Sequence, residues 1–292
     1  MALAVTTRTR LGAYVALTKP RIIELLLVTT VPAMVVAKGG MPPLGLVVAT
    51  LVGGTLAAAG ANAINMYVDR DIDAIMARTA KRPLVTGAVT PRQALTFAIG
   101  LELAAALELW FVVNPLSAVL AVSATLFYVF VYTLWLKRTS TRNIVIGGAA
   151  GAVPVLVGWS AVTSSLSWAP LVMFAIIFVW TPPHFWALAV RYRDDYAAAN
   201  VPMLPAVAEF AVTARRILGY TLALWVVSLV FVPVADMGAI YLSTAVVLGA
   251  VFTGFSIRLQ RSGDYSHAMG LFHFSITYIT LLFGAMALDQ LL

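Results

Sequence analysis

The chain alternates long apolar runs with short polar connections. Runs near 22–38, 44–66, 92–113, 116–136, 143–162, 168–190, 213–234, 239–257 and 270–291 each approach the roughly 17–25 residues that cross a bilayer as a helix. The pattern predicts an all-α, polytopic membrane protein of nine transmembrane helices. No connection is long enough to form a soluble unit, so residues 1–292 are expected to make a single transmembrane domain. A short polar segment with Arg8, Arg10, Lys19 and Arg21 precedes the first run. That run contains Glu24 and ends at Lys38 without a small-residue cleavage site, so it does not read as a cleaved signal.

Composition removes the soluble alternative. Hydrophobic residues make up 61% of the chain and charged ones only 11%, too little polar surface for a water-soluble fold of this length. The absence of cysteine excludes disulfides, Cys-based metal sites and thiol catalysis. A net charge of +7 raises the question of nucleic acid. The basic residues answer it, because they lie in short loops between the runs. Alternate loops hold 18 of the 19 lysines and arginines, and the other side receives only Lys38. By the positive-inside rule the N-terminus is cytoplasmic and the C-terminus lies on the outer side. The expected surroundings are a lipid bilayer and no nucleic acid.

Candidate chemistry collects at the cytoplasmic ends. The second run closes on Asn65-Met-Tyr-Val-Asp69-Arg-Asp71-Ile-Asp73, which holds three of the chain's twelve carboxylates. If the helix continues, Asn65, Asp69 and Asp73 advance about 40° per step of four and share one side. Oxygen ligands in a row suit a hard cation such as Mg²⁺, which is usually shared with phosphates; a solvated helix end is the plainer alternative. Four helices on, Arg191-Tyr-Arg193-Asp194-Asp195-Tyr196 repeats the arrangement of an apolar helix, terminal acids and a proline-bearing loop. The two halves suggest a weak tandem repeat whose acidic tips face a shared, exposed mouth. Lys81, Arg82 and Arg193 lie beside these acids, and Lys137 and Arg138 in a third cytoplasmic loop between the two clusters. Carboxylates, Mg²⁺ and cations together make a pocket for a diphosphate leaving group. Tyr67, Tyr128, Tyr132, Trp135, Trp180, Phe185 and Trp186 lie near the same face. Their π faces suit an allylic carbocation, although interfacial aromatics are common for other reasons. Glycine and alanine are dense at 53–61 and 147–158, as close helix packing in membranes requires.

The Asn65-xxx-Asp69-xxx-Asp73 pattern resembles the first aspartate-rich motif of the UbiA superfamily of intramembrane prenyltransferases. More narrowly, six stretches resemble its heme-farnesylating branch: Leu17–Arg21, Asp69–Ala74, Arg78–Pro83, Asn143–Pro154, Trp180–Leu188 and Asp194–Pro205. The resemblance implies a UbiA-like bundle with a cytoplasmic-facing active site in a bacterial cell membrane. It implies transfer of farnesyl from farnesyl diphosphate to a vinyl group of heme b, with addition of water, giving heme O and diphosphate. A heme A synthase or a terminal oxidase would lie downstream. Under it, Asn65, Asp69 and Asp73 hold Mg²⁺ and the diphosphate, with Asp194 or Asp195 completing the site. Lys81, Arg82, Lys137 and Arg138 are assigned as a group to phosphate oxygens or propionates. The superfamily's second motif usually pairs aspartates at i and i+4. Here Arg191 stands four before Asp195, which leaves one or two Mg²⁺ open and makes Arg191 a phosphate or propionate contact.

His184 carries two readings: a histidine hydrogen-bonded inside the bundle, or a contact to heme, at iron or beside the vinyl group. Glu102 and Glu108 lie within the third run, where an ionised carboxylate is costly; they are expected to be protonated or paired. Two rival functions stand beside the first: the same fold acting on an aromatic quinone precursor, and a transporter. Acids gathered at one membrane face, with no broken helix pair, disfavour the transporter.

Overall fold

The computed structural model describes residues 7–292, with side chains from residue 10 onward except 21–27. The side chains of Arg8, Arg21 and Glu24, used in the sequence reading, lie outside those described. The polar start forms a helix, α1 (Thr7–Thr18). It buries Ala13 and Leu17, four residues apart, and sets Tyr14 edge-on to Phe97 at 5.0 Å. Lys19 then takes a left-handed conformation (φ 52°, ψ 60°) and Pro20 opens α2 (Pro20–Lys38). A residue before proline is disfavoured in the α region, and proline suits the first helical position. The break therefore falls at Lys19.

The remaining apolar runs fold as α3 (Leu44–Val68), α5 (Pro91–Val113), α6 (Pro115–Thr139), α7 (Asn143–Thr163), α8 (Trp168–Arg191), α11 (Phe210–Val234), α12 (Ala239–Ser262) and α13 (Ala268–Leu291). These eight are long and apolar enough to cross a membrane among the described residues. The ninth expected span corresponds to the 19-residue α2, whose described apolar stretch is Val28–Lys38. Three short helices cap the acid-bearing end: α4 (Arg70–Ile75), α9 (Arg193–Ala198) and α10 (Leu204–Val207). No strand occurs among the described residues. This is a multi-pass helical membrane bundle.

Local signals set the ends. Thr90 and Gln93 form a reciprocal capping box at the start of α5, with Pro91 next. Asn114 accepts from the Ser117 N–H at 2.9 Å and opens α6. At the chain's end, Asp289 takes the backbone N–H groups of Gly238, Ile240 and Tyr241, closing the start of α12. Two stretches depart from α geometry: α5 winds as a π-helix over Leu109–Val113 and α6 over Phe127–Leu136. Periodicity along an apolar run does not distinguish this wider winding, so the sequence reading missed both.

Lipid tails offer no hydrophobic drive between helices, so close backbone approach must hold them together. Gly158 of α7 meets α2 where an added Cβ would lie 2.6 Å from the Thr30 carbonyl oxygen. Gly147 accepts the Tyr132 ring of α6, which would sit 2.3 Å from a Cβ there. The largest fully buried side chains include Trp186, Phe231, Tyr241, Phe252, Tyr278 and Phe283, all in α8 and α11–α13. Leu103, Leu107, Phe111, Val226 and Val247 point outward, as lipid-facing residues should.

Gly158→Ala is expected to force α7 off the α2 backbone and cost about 1–3 kcal/mol. Gly151, with nothing within 4 Å of a built Cβ, is the control. Thermal unfolding in detergent should drop for Gly158→Ala and not for Gly151→Ala.

Candidate active site

α3 ends at Val68, and α4 follows after one intervening residue, Asp69 (φ −82°, ψ 4°). Backbone bonds nevertheless run through the junction, from Asp69 N–H to the Asn65 carbonyl at 2.9 Å and from Asp73 N–H to the Asp69 carbonyl at 2.8 Å. The i, i+4, i+8 relation therefore survives the change of helix. Asn65, Asp69 and Asp73 are 3%, 0% and 2% exposed. The exposed mouth expected for these acids is thus corrected: they lie buried beneath a layer of cations.

A buried carboxylate requires a partner, and each of these has one. Lys137 pairs with Asp69, and Arg82 reaches Asp73 at 2.6 Å. Arg138 forks onto Asp71 through two contacts of 2.7 Å and stands 3.6 Å from Asp69 Oδ1. The side-chain bond to Arg138 holds the Asp71 carboxyl down at about 2. The sequence reading grouped Arg82, Lys137 and Arg138 without individual partners. The last turn of α6, just beyond its π-helical stretch, delivers Lys137 and Arg138, and the loop after α4 delivers Arg82.

Lys19 is the member that the sequence reading did not place in the site. Its Nζ donates to Asn65 Oδ1 at 2.8 Å. Burial pushes its pKa down to about 7, with repulsion from Arg82 and Lys137 adding and attraction from Asp69 and Asp73 opposing. Its signal was a lysine directly before a helix-opening proline, which by itself says nothing about chemistry. The Asn65 amide completes the network, donating to Asp69 Oδ2 at 2.8 Å and to Thr133 Oγ at 3.1 Å.

The second tip repeats the first. α8 ends at Arg191, Tyr192 breaks the helix, and the six-residue α9 follows. Asp195 accepts the backbone N–H groups of Ala77 at 3.2 Å and Arg78 at 3.1 Å, so tips far apart in sequence are tied together. Arg78 lies over the rings of Tyr192 and Tyr196 at 5.0 and 5.8 Å. Burial raises the pKa of the Tyr196 hydroxyl. The other candidates stand outside the buried cluster. Asp194 is 95% exposed and 3.4 Å from Arg193. Arg191 is exposed, 5.9 Å over Tyr192, and Lys81 is exposed.

Among the described residues no three His, Asp or Glu side chains gather closely enough to hold a metal by themselves. Asp69 Oδ1 is nevertheless buried with no hydrogen-bond donor. Hard oxygens from Asn65, Asp69 and Asp73 on one side fit an ion that takes one or two carboxylates and completes its shell with water and phosphate.

Deeper in the bundle, His184 Nδ1 lies 2.7 Å from Ser275 Oγ, and its ring stacks on Trp180 at 4.1 Å and tilts against Phe272 at 4.8 Å. Trp180 Nε1 donates to the Ser275 carbonyl at 2.8 Å. The described hydrogen bonding of His184 is through Nδ1, which leaves Nε2 for a ligand. Tyr128 and Tyr132 stack at 5.3 Å beside the acids' helix, whereas Trp135 turns outward and Trp186 packs edge-on to Tyr220. Glu102 accepts from Thr125 at 3.2 Å and fits against Gly60, and Glu108 fits against Gly53.

Removing the partner of a buried charge costs about 3–5 kcal/mol. Lys137→Met should therefore lower the melting temperature, and adding Asp69→Asn should restore most of the loss. Equal melting of Lys137→Met and the parent would mean that Lys137 is not the partner on which Asp69 depends.

A family model described as "UbiA prenyltransferase family" matches residues 26–282. A curated protein of Frankia alni named protoheme IX farnesyltransferase is 57% identical over 281 residues, covering 95% of this chain and 97% of that one. Its namesake in Streptomyces coelicolor is 52% identical over 289 residues, covering 97% and 92%. Among solved structures, a digeranylgeranylglyceryl phosphate synthase superposes with TM-score 0.79 at 16% identity, covering 96% of this chain and 98% of that one. A UbiA homolog from Archaeoglobus fulgidus bound to GPP and Mg²⁺ gives TM-score 0.67 at 16% identity, covering 94% and 99%. At such identities these structures speak for the fold alone.

Proposed function

The chain belongs to the UbiA prenyltransferase family, and from that premise we propose that it transfers a farnesyl group from farnesyl diphosphate to a vinyl group of heme b. Water adds, and heme O and diphosphate leave. The observation that carries this reading is the buried Asn65–Asp69–Asp73 face ringed by Lys19, Arg82, Lys137 and Arg138. It lies in a chain 57% identical to a protoheme IX farnesyltransferase.

Asn65, Asp69 and Asp73 would hold Mg²⁺, and Asp195, whose oxygens also accept the Ala77 and Arg78 N–H groups, would complete the set with its remaining lone pairs from the other tip. When bound, the ion neutralises diphosphate oxygens and so eases departure of the leaving group. The chain's own cations do the rest. Arg82, Lys137 and Arg138 supply fixed positive charge where negative charge develops on the departing diphosphate. Lys81 and Arg191, exposed at the rim, draw anionic substrates inward, and Asp194 borders the same entrance. The stacked Tyr128 and Tyr132 present π faces to the allylic cation left when the C1–O bond breaks. A vinyl carbon of heme b then bonds to C1 of the farnesyl chain. The resulting benzylic-type cation takes up water and loses a proton, which leaves the hydroxyl. His184, with Nδ1 held by Ser275, offers Nε2 to the heme. The acid-bearing end faces the cytoplasm of a bacterial cell, because the basic loops lie there. Heme O would pass to a heme A synthase or a terminal oxidase.

Purified protein with heme b, farnesyl diphosphate and Mg²⁺ should yield a pigment with the mass of heme O, and chelation of the metal should stop it. Asp69→Asn keeps size and hydrogen bonding but removes charge, and should lower turnover by about a hundredfold or more. An active preparation that prenylates a quinone precursor and leaves heme untouched would replace this reading.

A further inference from the structure

Asn65 sits at the centre of the acid cluster, and its carboxamide can face either way at little steric cost. Three partners fix it, Asp69, Lys19 and a hydroxyl on the neighbouring π-helical turn. Thr133 is fully buried, and its hydroxyl donates to the Tyr128 carbonyl at 2.8 Å. In an α-helix a threonine hydroxyl reaches the carbonyl three or four residues back. Here the partner is five back, within the π-helical winding of Phe127–Leu136. A hydroxyl has one proton and two lone pairs. With its proton given to Tyr128, Thr133 Oγ can only accept.

That restriction passes to Asn65. Its 3.1 Å contact with Thr133 Oγ and its 2.8 Å contact with Asp69 Oδ2 both face acceptors, so both must come from the amide nitrogen. The two N–H groups are thereby used, and the amide oxygen turns to Lys19 Nζ at 2.8 Å. The Lys19 ammonium has donors only, so in that form it favours the same orientation from the other side. The oxygen keeps one uncommitted lone pair.

We propose that Thr133 is a positioning residue for prenyl diphosphate binding, which sets the Asn65 carboxamide so that its oxygen is presented to the metal and diphosphate. The inference rests on the role given to Asn65 above. Its reason is geometric: Thr133 is the acceptor for the second N–H of Asn65, and without it the amide is held by Asp69 and Lys19 alone, with one N–H left unpaired. The π segment has a function on this account. It lets the hydroxyl give its proton to a carbonyl five residues back, and that bond, whatever its span, makes the oxygen an obligate acceptor.

The test uses the full-length protein in nanodiscs and calorimetric binding of a non-hydrolysable farnesyl diphosphate analogue across a Mg²⁺ series, without turnover. Thr133→Val keeps the shape and removes the acceptor; Thr133→Ser keeps the acceptor. Orienting partners of metal ligands are worth about 10–100-fold in affinity, so the valine variant should need at least about tenfold more Mg²⁺. The serine variant should stay near the parent, and KM for heme should not move in either. If the valine variant is too unstable to purify, Thr133→Ala with the ligand-free melting temperature recorded alongside serves in its place. Unchanged Mg²⁺ dependence in the valine or alanine variant overturns the proposal. So does equal loss in the serine variant, which would make the methyl group the active part. In an Asn65→Ala background, Thr133→Val should have no further effect, and an additional loss there also overturns it. If Asn65→Ala alone leaves the Mg²⁺ dependence unchanged, the metal-ligand reading of Asn65 fails first, and the positioning role falls with it.

Discussion

Neutralising buried carboxylates is the constraint on which the acid-bearing end depends. Asp69 and Asp73 are almost fully withdrawn from water, and a bare carboxylate in such surroundings would take up a proton or unfold its neighbourhood. Lys137 from α6 and Arg82 from the loop beyond α4 supply the opposite charges, and Arg138 adds a fork onto Asp71. These ion pairs join segments far apart in the chain, so the end of α3, the end of α6 and the following loop are assembled as one unit. A site built this way meets a diphosphate and its metal with cations and oxygens already converged, which is the preorganisation that catalysis of leaving-group departure requires.

The helices that carry these groups are held by shape. Gly158 lets α7 touch the α2 backbone, and Gly147 admits the Tyr132 ring. The latter contact matters to the site, because Tyr132 belongs to the same π-helical stretch as Thr133 and stacks on Tyr128. Winding, glycine contact and amide orientation are therefore coupled along one short segment of α6. Large aromatic side chains fill the interior shared by α11 to α13, and α13 also supplies Ser275 and Phe272 to His184.

The two acidic tips are similar in construction and different in use. Each ends a long helix, breaks at one residue and continues as a six-residue helix. The first turns its acids inward against cations. The second turns Asp195 toward two backbone N–H groups of the first tip's loop and leaves Asp194 in solvent. This asymmetry matches the replacement of the expected second-motif aspartate by Arg191. Asp195 thereby fixes the segment that leads to Arg82.

Much of this was legible in the residues. The placement of the eight long apolar helices follows from apolar length, since a segment in lipid must satisfy its backbone internally and a helix does so within the run itself. The shared side of Asn65, Asp69 and Asp73 follows from the helical repeat, and the basic side from loop charge. Those are local properties, set by a residue's near neighbours in the chain. The rest is relational. Lys19 on Asn65, Lys137 on Asp69, Asp195 on the Ala77 and Arg78 amides, and Thr133 beneath the Asn65 amide join positions 46 to 118 residues apart. Burial of the acids, too, depends on which helices close around them. Only the packed bundle decides these contacts, because a side chain's partner across a bundle is set by how neighbouring helices seat, and no spacing along one helix encodes it.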